Sequence, residues 1–224
     1  MIEQPSSSLR LQTSQLNIFD DFTYFDPRAD IDISRRNLPH WRQEGRTYFV
    51  TFRLHDSLPQ EKLAALKKAR GEWLDSHPEP WLPEQRQEYR ALFSEKIQQW
   101  LDAGHGSCIL QDTALSQIVA SALKHFDDQR YDLVAWVVMP NHVHVLLTPR
   151  PGFDLGKILH SWKSFSAHEI NKMTGRKGEV WQHETYDHIV RDPDSLWHFA
   201  KYIVDNPRQA GVQVDQIESR IKLT

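Results

Sequence analysis

The chain has one cysteine, Cys108, among 224 residues. That excludes an intrachain disulfide and a cysteine-built zinc site. It has no long apolar run either: Leu133 to Met139 is the longest unbroken one, far too short to span a bilayer. No charged-then-apolar leader opens it. Positive charge is not in excess, since 27 Lys and Arg face 30 Asp and Glu, for a net charge of −3. Any nucleic-acid partner must then be held by a local patch. These absences lead to the expectation of a cytoplasmic protein with no membrane part. Against them stand 39% hydrophobic and 11% aromatic residues, enough to bury one substantial core.

Residues 1–32 are polar and rich in serine and aspartate, and read as a flexible N-terminal arm. A single domain over 33–215 follows, interrupted by a charged helical insertion at about 59–106, with 216–224 as a C-terminal tail. Thr47 to Leu54 is β-branched and aromatic, hence a strand. Within the insertion, Leu63, Leu66 and Trp73 mark one helix, broken at His77-Pro78-Glu79-Pro80. Leu92, Phe93, Ile97, Trp100 and Leu101 mark another. A further helix begins at Asp112 or Thr113. Tyr131–Met139 and His142–Thr148 are two strands joined by a Pro140-Asn141 turn, which favours an antiparallel pair. Asp154 caps the next helix, with Leu155, Ile158, Leu159, Trp162 and Phe165 expected on its buried side and Gly175 at its end. A strand is expected from Val180 to Arg191. A last helix from Asp194 carries Trp197, Phe199 and Tyr202 and should stop at Asn206-Pro207. The order implies an α+β fold, helices packed on one face of an antiparallel sheet.

Inside the second strand pair lies VVMPNHVHVLLTP, residues 137–149, with two histidines in an apolar run. Alternate strand residues share a face, about 6.8 Å apart, so His142 and His144 point the same way. Two imidazoles on one face can converge on a metal ion. Taken alone, such a pair is more often two half-exposed strand residues. Farther on, Tyr202 and Asn206 stand four apart and project together from a helix. That spacing also fits an amphipathic core tyrosine and a helix-ending asparagine.

Met139-Pro140-Asn141-His142-Val143-His144-Val145-Leu146-Leu147, followed by Tyr202-Ile203-x-x-Asn206-Pro207-x-x-Ala210-Gly211, resembles the single-tyrosine HUH (IS200-like) transposases. The REP-associated tyrosine transposases, found beside repetitive palindromic DNA, are the group it is most similar to. Tyr48–Phe52, Trp181-Gln182, Asp187-His188 and Ile189-x-Arg191 add to the likeness, which covers roughly residues 35–212 outside the insertion. Arg208 departs from it, standing where the family tends to have a hydrophobic residue. The resemblance implies a ferredoxin-like sheet and a nuclease and strand transferase acting on single-stranded or hairpin DNA. It also implies a divalent ion, Mg or Mn, on His142 and His144 with Asn206 as third ligand. Tyr202 would be the nucleophile, giving a 5′-phosphotyrosine and a free 3′-hydroxyl. Asp187 and His188 are candidates to orient the ligands. Tyr186 is the rival nucleophile.

A free tyrosine is almost wholly protonated at neutral pH, so its attack needs charge stabilisation nearby. For DNA, Arg35, Arg36, His40, Trp41 and Arg42 combine charge with an aromatic platform. Lys157, Lys163, Lys172, Arg176 and Lys177 are placed to follow a backbone. The insertion reads equally as a lid, a DNA support or a contact in a homodimer. Two other functions stay open on the residues alone: a metal-dependent hydrolase using water, and a DNA-binding protein without cleavage. A covalent adduct would separate the first, and binding without cleavage would indicate the second.

Overall fold

The computed structural model describes residues 22–30, 32–35, 39–78 and 80–221. Two short strands, β1 (Asp32–Arg35) and β2 (Pro39–Arg42), pair with each other. Then come β3 (Tyr48–Arg53) and the insertion, made of α1 (Gln60–Ser76), α2 (Pro83–Tyr89), a π-helical stretch Arg90–Glu95 and α3 (Lys96–Asp102). After it run α4 (Thr113–Lys124), β4 (Tyr131–Val138), β5 (His142–Pro149) and α5 (Leu155–Thr174). The chain ends with β6 (Tyr186–Ile189), α6 (Pro193–Gln209) and β7 (Ile217–Ser219).

The sheet order is β6-β3-β5-β4-β7, with every neighbouring pair antiparallel. Without β7 this is the βαββαβ arrangement of a ferredoxin-like fold. Facing residues alternate along β3 and β5, while β4 shifts register between Leu133 and Ala135. Val50, Phe52, Val143 and Val145 meet Leu115, Val119, Ile158 and Trp162 of α4 and α5. α4 and α5 thus cover that face as expected, whereas the last helix, α6, covers the other, setting Leu196, Ala200 and Ile203 on Phe49, Val137 and Leu146. Cover on both sides explains why β4 and β5 are apolar almost throughout. It also buries whatever the histidine face carries.

Several boundaries differ from the sequence expectation. Pro207 does not stop α6, which continues to Gln209 with Pro207 buried inside it. Proline forfeits one backbone bond there, but packing holds the turn, and Ala210 N–H still reaches the Asn206 carbonyl at 2.9 Å. Phe165 is 52% exposed, because the buried stripe of α5 passes from Trp162 to Ser166 and Ile170. The expected strand 180–191 contracts to four residues plus one bridge, Leu54 to Trp181. β7 lies within the segment read as a tail and pairs with β4. Of the arm, residues 1–21 lie outside the described residues. Phe25 donates its backbone N–H to Val190 O at 2.9 Å, so the arm's last part is joined to the fold.

The insertion has a core of its own: Leu66, Trp73 and Phe93, with Trp81 and Tyr89 packed around them. Its return to the sheet is tight. At Gly106 (φ +88°) a Cβ would sit 2.5 Å from the Asp56 carbonyl oxygen, so only glycine lets the two ends of the insertion approach.

Candidate active site

His142 and His144 point from β5 toward α6, and both are fully buried. Each Nδ1 is engaged by a neighbour. Asn141 donates its amide to the His105 carbonyl at 2.9 Å, which leaves Asn141 Oδ1 facing His142 Nδ1 at 2.7 Å. A carbonyl oxygen only accepts, so Nδ1 carries the proton and His142 Nε2 bears a lone pair. Thr51 Oγ1 lies 2.7 Å from His144 Nδ1 on the neighbouring strand. The two Nε2 atoms face each other at 2.9 Å. Burial holds both imidazoles neutral, pushing His142 down to about 3 and His144 well below its ordinary value, with His142 adding to the latter. Neutral imidazole with an outward lone pair is the metal-ligating form.

α6 brings Tyr202 and Asn206 over this pair. Tyr202 OH stands 3.5 Å from His144 Nε2 and accepts from Asn206 Nδ2 at 3.0 Å. Phe49 stacks on the His144 ring and meets Tyr202 edge-on, at 5.5 and 5.9 Å between centroids. Burial, and then the Asp102 carboxylate, push the phenol well above its ordinary range. Its proton is therefore held more firmly than in water. Asn206 is fully buried, and its Oδ1 has no hydrogen-bond partner among the described residues.

The insertion supplies two residues that the sequence reading did not single out. Asp102 Oδ1 accepts from Gln98 Nε2 at 3.0 Å and from Asn206 Nδ2 at 3.3 Å, and lies 3.8 Å from His142 Nε2. Gln98 Nε2 is 3.2 Å from His144 Nε2. Ligand atoms of Asp102, His142 and His144 all fall within 4.8 Å of one another. Two facing imidazole nitrogens, a carboxylate and a buried amide oxygen without a hydrogen bond suit a divalent cation, which neutral imidazole, carboxylate and amide oxygen can all ligate. Arg53 was also missed. It sits directly opposite His142 on the same sheet face, half-buried, and burial pushes it down to about 10. It donates to Ser57 Oγ at 3.1 Å, and no carboxylate among the described residues pairs with it. A cation taken partly out of water without a counter-ion is poised for an anion.

Other expected residues fall elsewhere. Asp187 faces away from the histidines, pairing across β3 with Val50 on the opposite face, and it forms an ion pair with Arg42. It therefore does not orient the histidines, and Arg42 is already partnered. His188 is on the histidine face, 5.4 Å from the Phe199 ring. Tyr186 is two strands from His144, with Thr51 between them, roughly 9.5 Å at the backbone. Lys163 Nζ donates to the carbonyls of Gln182 and His183 at 2.7 and 2.9 Å, tying α5 to the segment before β6. Lys157, Lys172, Arg176, Lys177 and Trp41 are exposed. Arg36 lies outside the described residues, and β1 and β2 carry Arg35 and His40 in their backbone. No helix among the described residues is long and apolar enough to cross a membrane.

Residues 108–206 match the family described as "Transposase IS200 like". That segment holds both histidines, Tyr202 and Asn206. The REP-associated tyrosine transposase of Escherichia coli (strain K12) is 29% identical over 84 residues, which cover 38% of this chain and 48% of that protein. The match thus spans about half the length of that relative. A solved REP-associated tyrosine transposase bound to a REP hairpin aligns at 19% identity over 78% of this chain and 75% of that one, with a TM-score of 0.38.

Proposed function

We propose, from a site segment that carries the IS200-like transposase signature, that the protein cuts and rejoins single-stranded hairpin DNA through a covalent tyrosine intermediate. The observation that carries this reading is Tyr202 OH, 3.5 Å from His144 Nε2 beside two facing imidazole nitrogens. A nucleophile of that weakness, buried without a cation or base, would have no use for such a position.

His142 and His144, with Asn206 Oδ1, would hold a divalent ion, Mg or Mn. Such an ion supplies charge stabilisation for the phosphate oxygens. Tyr202 Oη attacks the scissile phosphorus. The bond to the 3′ oxygen breaks as the Tyr–O–P bond forms, the phenol loses its proton and the 3′ oxygen gains one. The products are a 5′-phosphotyrosine and a free 3′-hydroxyl, so the bond is conserved for rejoining without a nucleotide cofactor. Asn206 Nδ2 fixes the phenol oxygen, and Phe49 fixes the ring. Arg53, lacking a carboxylate, fits the role of a phosphate partner. Nucleophile and histidines come from one chain, so a homodimer is not needed to assemble this centre.

The test uses hairpin oligonucleotides from palindromes near the gene, with Mn, on a denaturing gel. Wild type should give a protein–DNA adduct that chelator abolishes. Tyr202→Phe should give none, while Tyr186→Phe keeps it. An adduct lost only in Tyr186→Phe, or strand cleavage with no adduct in any protein, would overturn the assignment. Arg53→Met should weaken oligonucleotide binding roughly ten- to a hundredfold, as for a lost charge-assisted hydrogen bond; unchanged affinity would remove Arg53 from the phosphate site.

A further inference from the structure

The insertion at 59–106 interrupts the ferredoxin-like fold, and Asp102 is the last residue of its last helix. Nothing in the local structure of α3 requires a carboxylate there. The C-terminal end of a helix disfavours negative charge, and Asp102 is partly buried. Gln98 is one helical turn earlier and points at the same place, donating to Asp102 and standing 3.2 Å from His144 Nε2. The two residues form a short arm that reaches the histidine site. Asn206 binds that arm through Nδ2 while its Oδ1 has no partner among the described residues.

We propose that Asp102 is a direct ligand of the divalent ion held by His142 and His144, so that the helical insertion is part of the metal centre. The inference rests on the reading above that this site holds a divalent ion. Its basis is geometric. Asp102 Oδ1 is 3.8 Å from His142 Nε2, within the spread that one ion bridges, and its ligand atom lies with the two imidazole nitrogens inside 4.8 Å. Carboxylate with imidazole is a donor set that Mn accepts readily, and it brings a negative charge that two neutral imidazoles and an amide lack. The hydrogen bond from Gln98 orients the carboxylate, as the second layer of partners does around metal ligands generally. One consequence is mechanical: an ion bound at Asp102 would fasten α3 to β5.

Mn binding is read by the loss of the free-ion EPR signal in the whole protein, without DNA. Asp102→Asn keeps an oxygen for Gln98 and Asn206 but removes the charge; Asp102→Ala removes both. Both should weaken Mn binding about tenfold or more, and His142→Ala should abolish it. In the wild-type chain alone, Mn should slow amide hydrogen exchange over residues 97–103, which keeps the proposal exposed even where a variant fails to fold. Wild-type affinity in both Asp102 variants, alongside loss in His142→Ala, overturns the Asp102 assignment and leaves the two-histidine site standing. Mn binding that leaves exchange over residues 97–103 unchanged also overturns it. A wild-type protein that binds no Mn overturns both this and the metal reading of the site.

Discussion

The strand pair β4–β5 and the helical insertion both send side chains to the candidate site, but their interiors are built differently. β4 and β5 are covered on both faces, and the strand residues that flank the histidines in β5, Val143, Val145 and Leu146, are aliphatic and almost fully buried. The insertion's own cluster has three buried apolar residues held by aromatic contacts, and Trp73 is the hub. It stacks on His77 at 4.1 Å and meets Trp81 and Tyr89 edge-on at 5.0 and 5.2 Å. Their helix starts differ too. Asp112, Asp154 and Asp192 each accept a backbone N–H at the start of α4, α5 and α6. At α1 the corresponding residue is Pro59, and no side chain caps it. The more deeply cored sheet region, the more rigid of the two, holds the histidines, while the insertion, with its smaller core, carries Asp102 to them. The proposed entry of DNA would give the site reason to be divided that way.

The largest effect expected from this contrast belongs to the rigid half. In the metal-free protein His142 is neutral down to about pH 3, against an ordinary value near 6.5. The unfolded chain takes up that proton as pH falls through 6.5, and the folded one does not until about 3. Stability is therefore full above pH 6.5 and declines below it, by up to about 5 kcal/mol at pH 3 for this one group. Thermal melts of the chelator-treated protein between pH 7 and 4 should show the decline, and His142→Gln should make it shallower. Equal slopes in the two proteins would mean that the imidazole is not desolvated as described.

Second in size is Trp73→Ala. Removing a buried tryptophan costs about 3–5 kcal/mol. In a core this small, that should loosen the insertion without unfolding the sheet. Hydrogen exchange should speed up over 61–102 and stay slow over 133–147. A single cooperative loss over both segments would contradict the division into two regions.

How far the sequence disclosed each half follows from the same contrast. The histidines were readable because strand alternation is strict: His142 and His144 must share a face wherever the strand lies. Tyr202 and Asn206 share a face because one helical turn separates them, but it was the likeness to the single-tyrosine transposases that singled them out. Asp102 was not, since it precedes His142 by forty positions and looks like any solvated carboxylate at a helix end; only the tertiary fold brings it to His142. Thr51 and Arg53 were visible as polar residues in an apolar strand, but register alone reveals that they face His144 and His142. Phe165 misled because aromatic bulk suggests burial, whereas helical phase placed Ser166 inward, where it accepts from the Trp181 indole at 2.9 Å. Pro207 misled because a proline ends most helices, and the burial that retains it here is tertiary.

The smallest effects concern the helix starts, and they run in opposite directions in the two regions. Asp154 Oδ1 accepts from Lys157 N–H at 2.9 Å, with Asp154 at φ −80° and ψ 130°. Asp154→Ala should cost about 1 kcal/mol, the usual loss for an N-cap. Pro59 has nearly the same backbone, φ −58° and ψ 130°, but offers no acceptor to α1. Pro59→Asp should therefore supply one and stabilise the insertion by several tenths of a kcal/mol, after the added freedom of the unfolded chain is subtracted. The first change is read as a lower melting temperature of the whole protein, the second as slower exchange confined to 61–76. If Pro59→Asp raised global stability and left exchange over 61–76 unchanged, the insertion would not be a separately opening unit. Its carboxylate would then be as permanently placed as the histidines it faces.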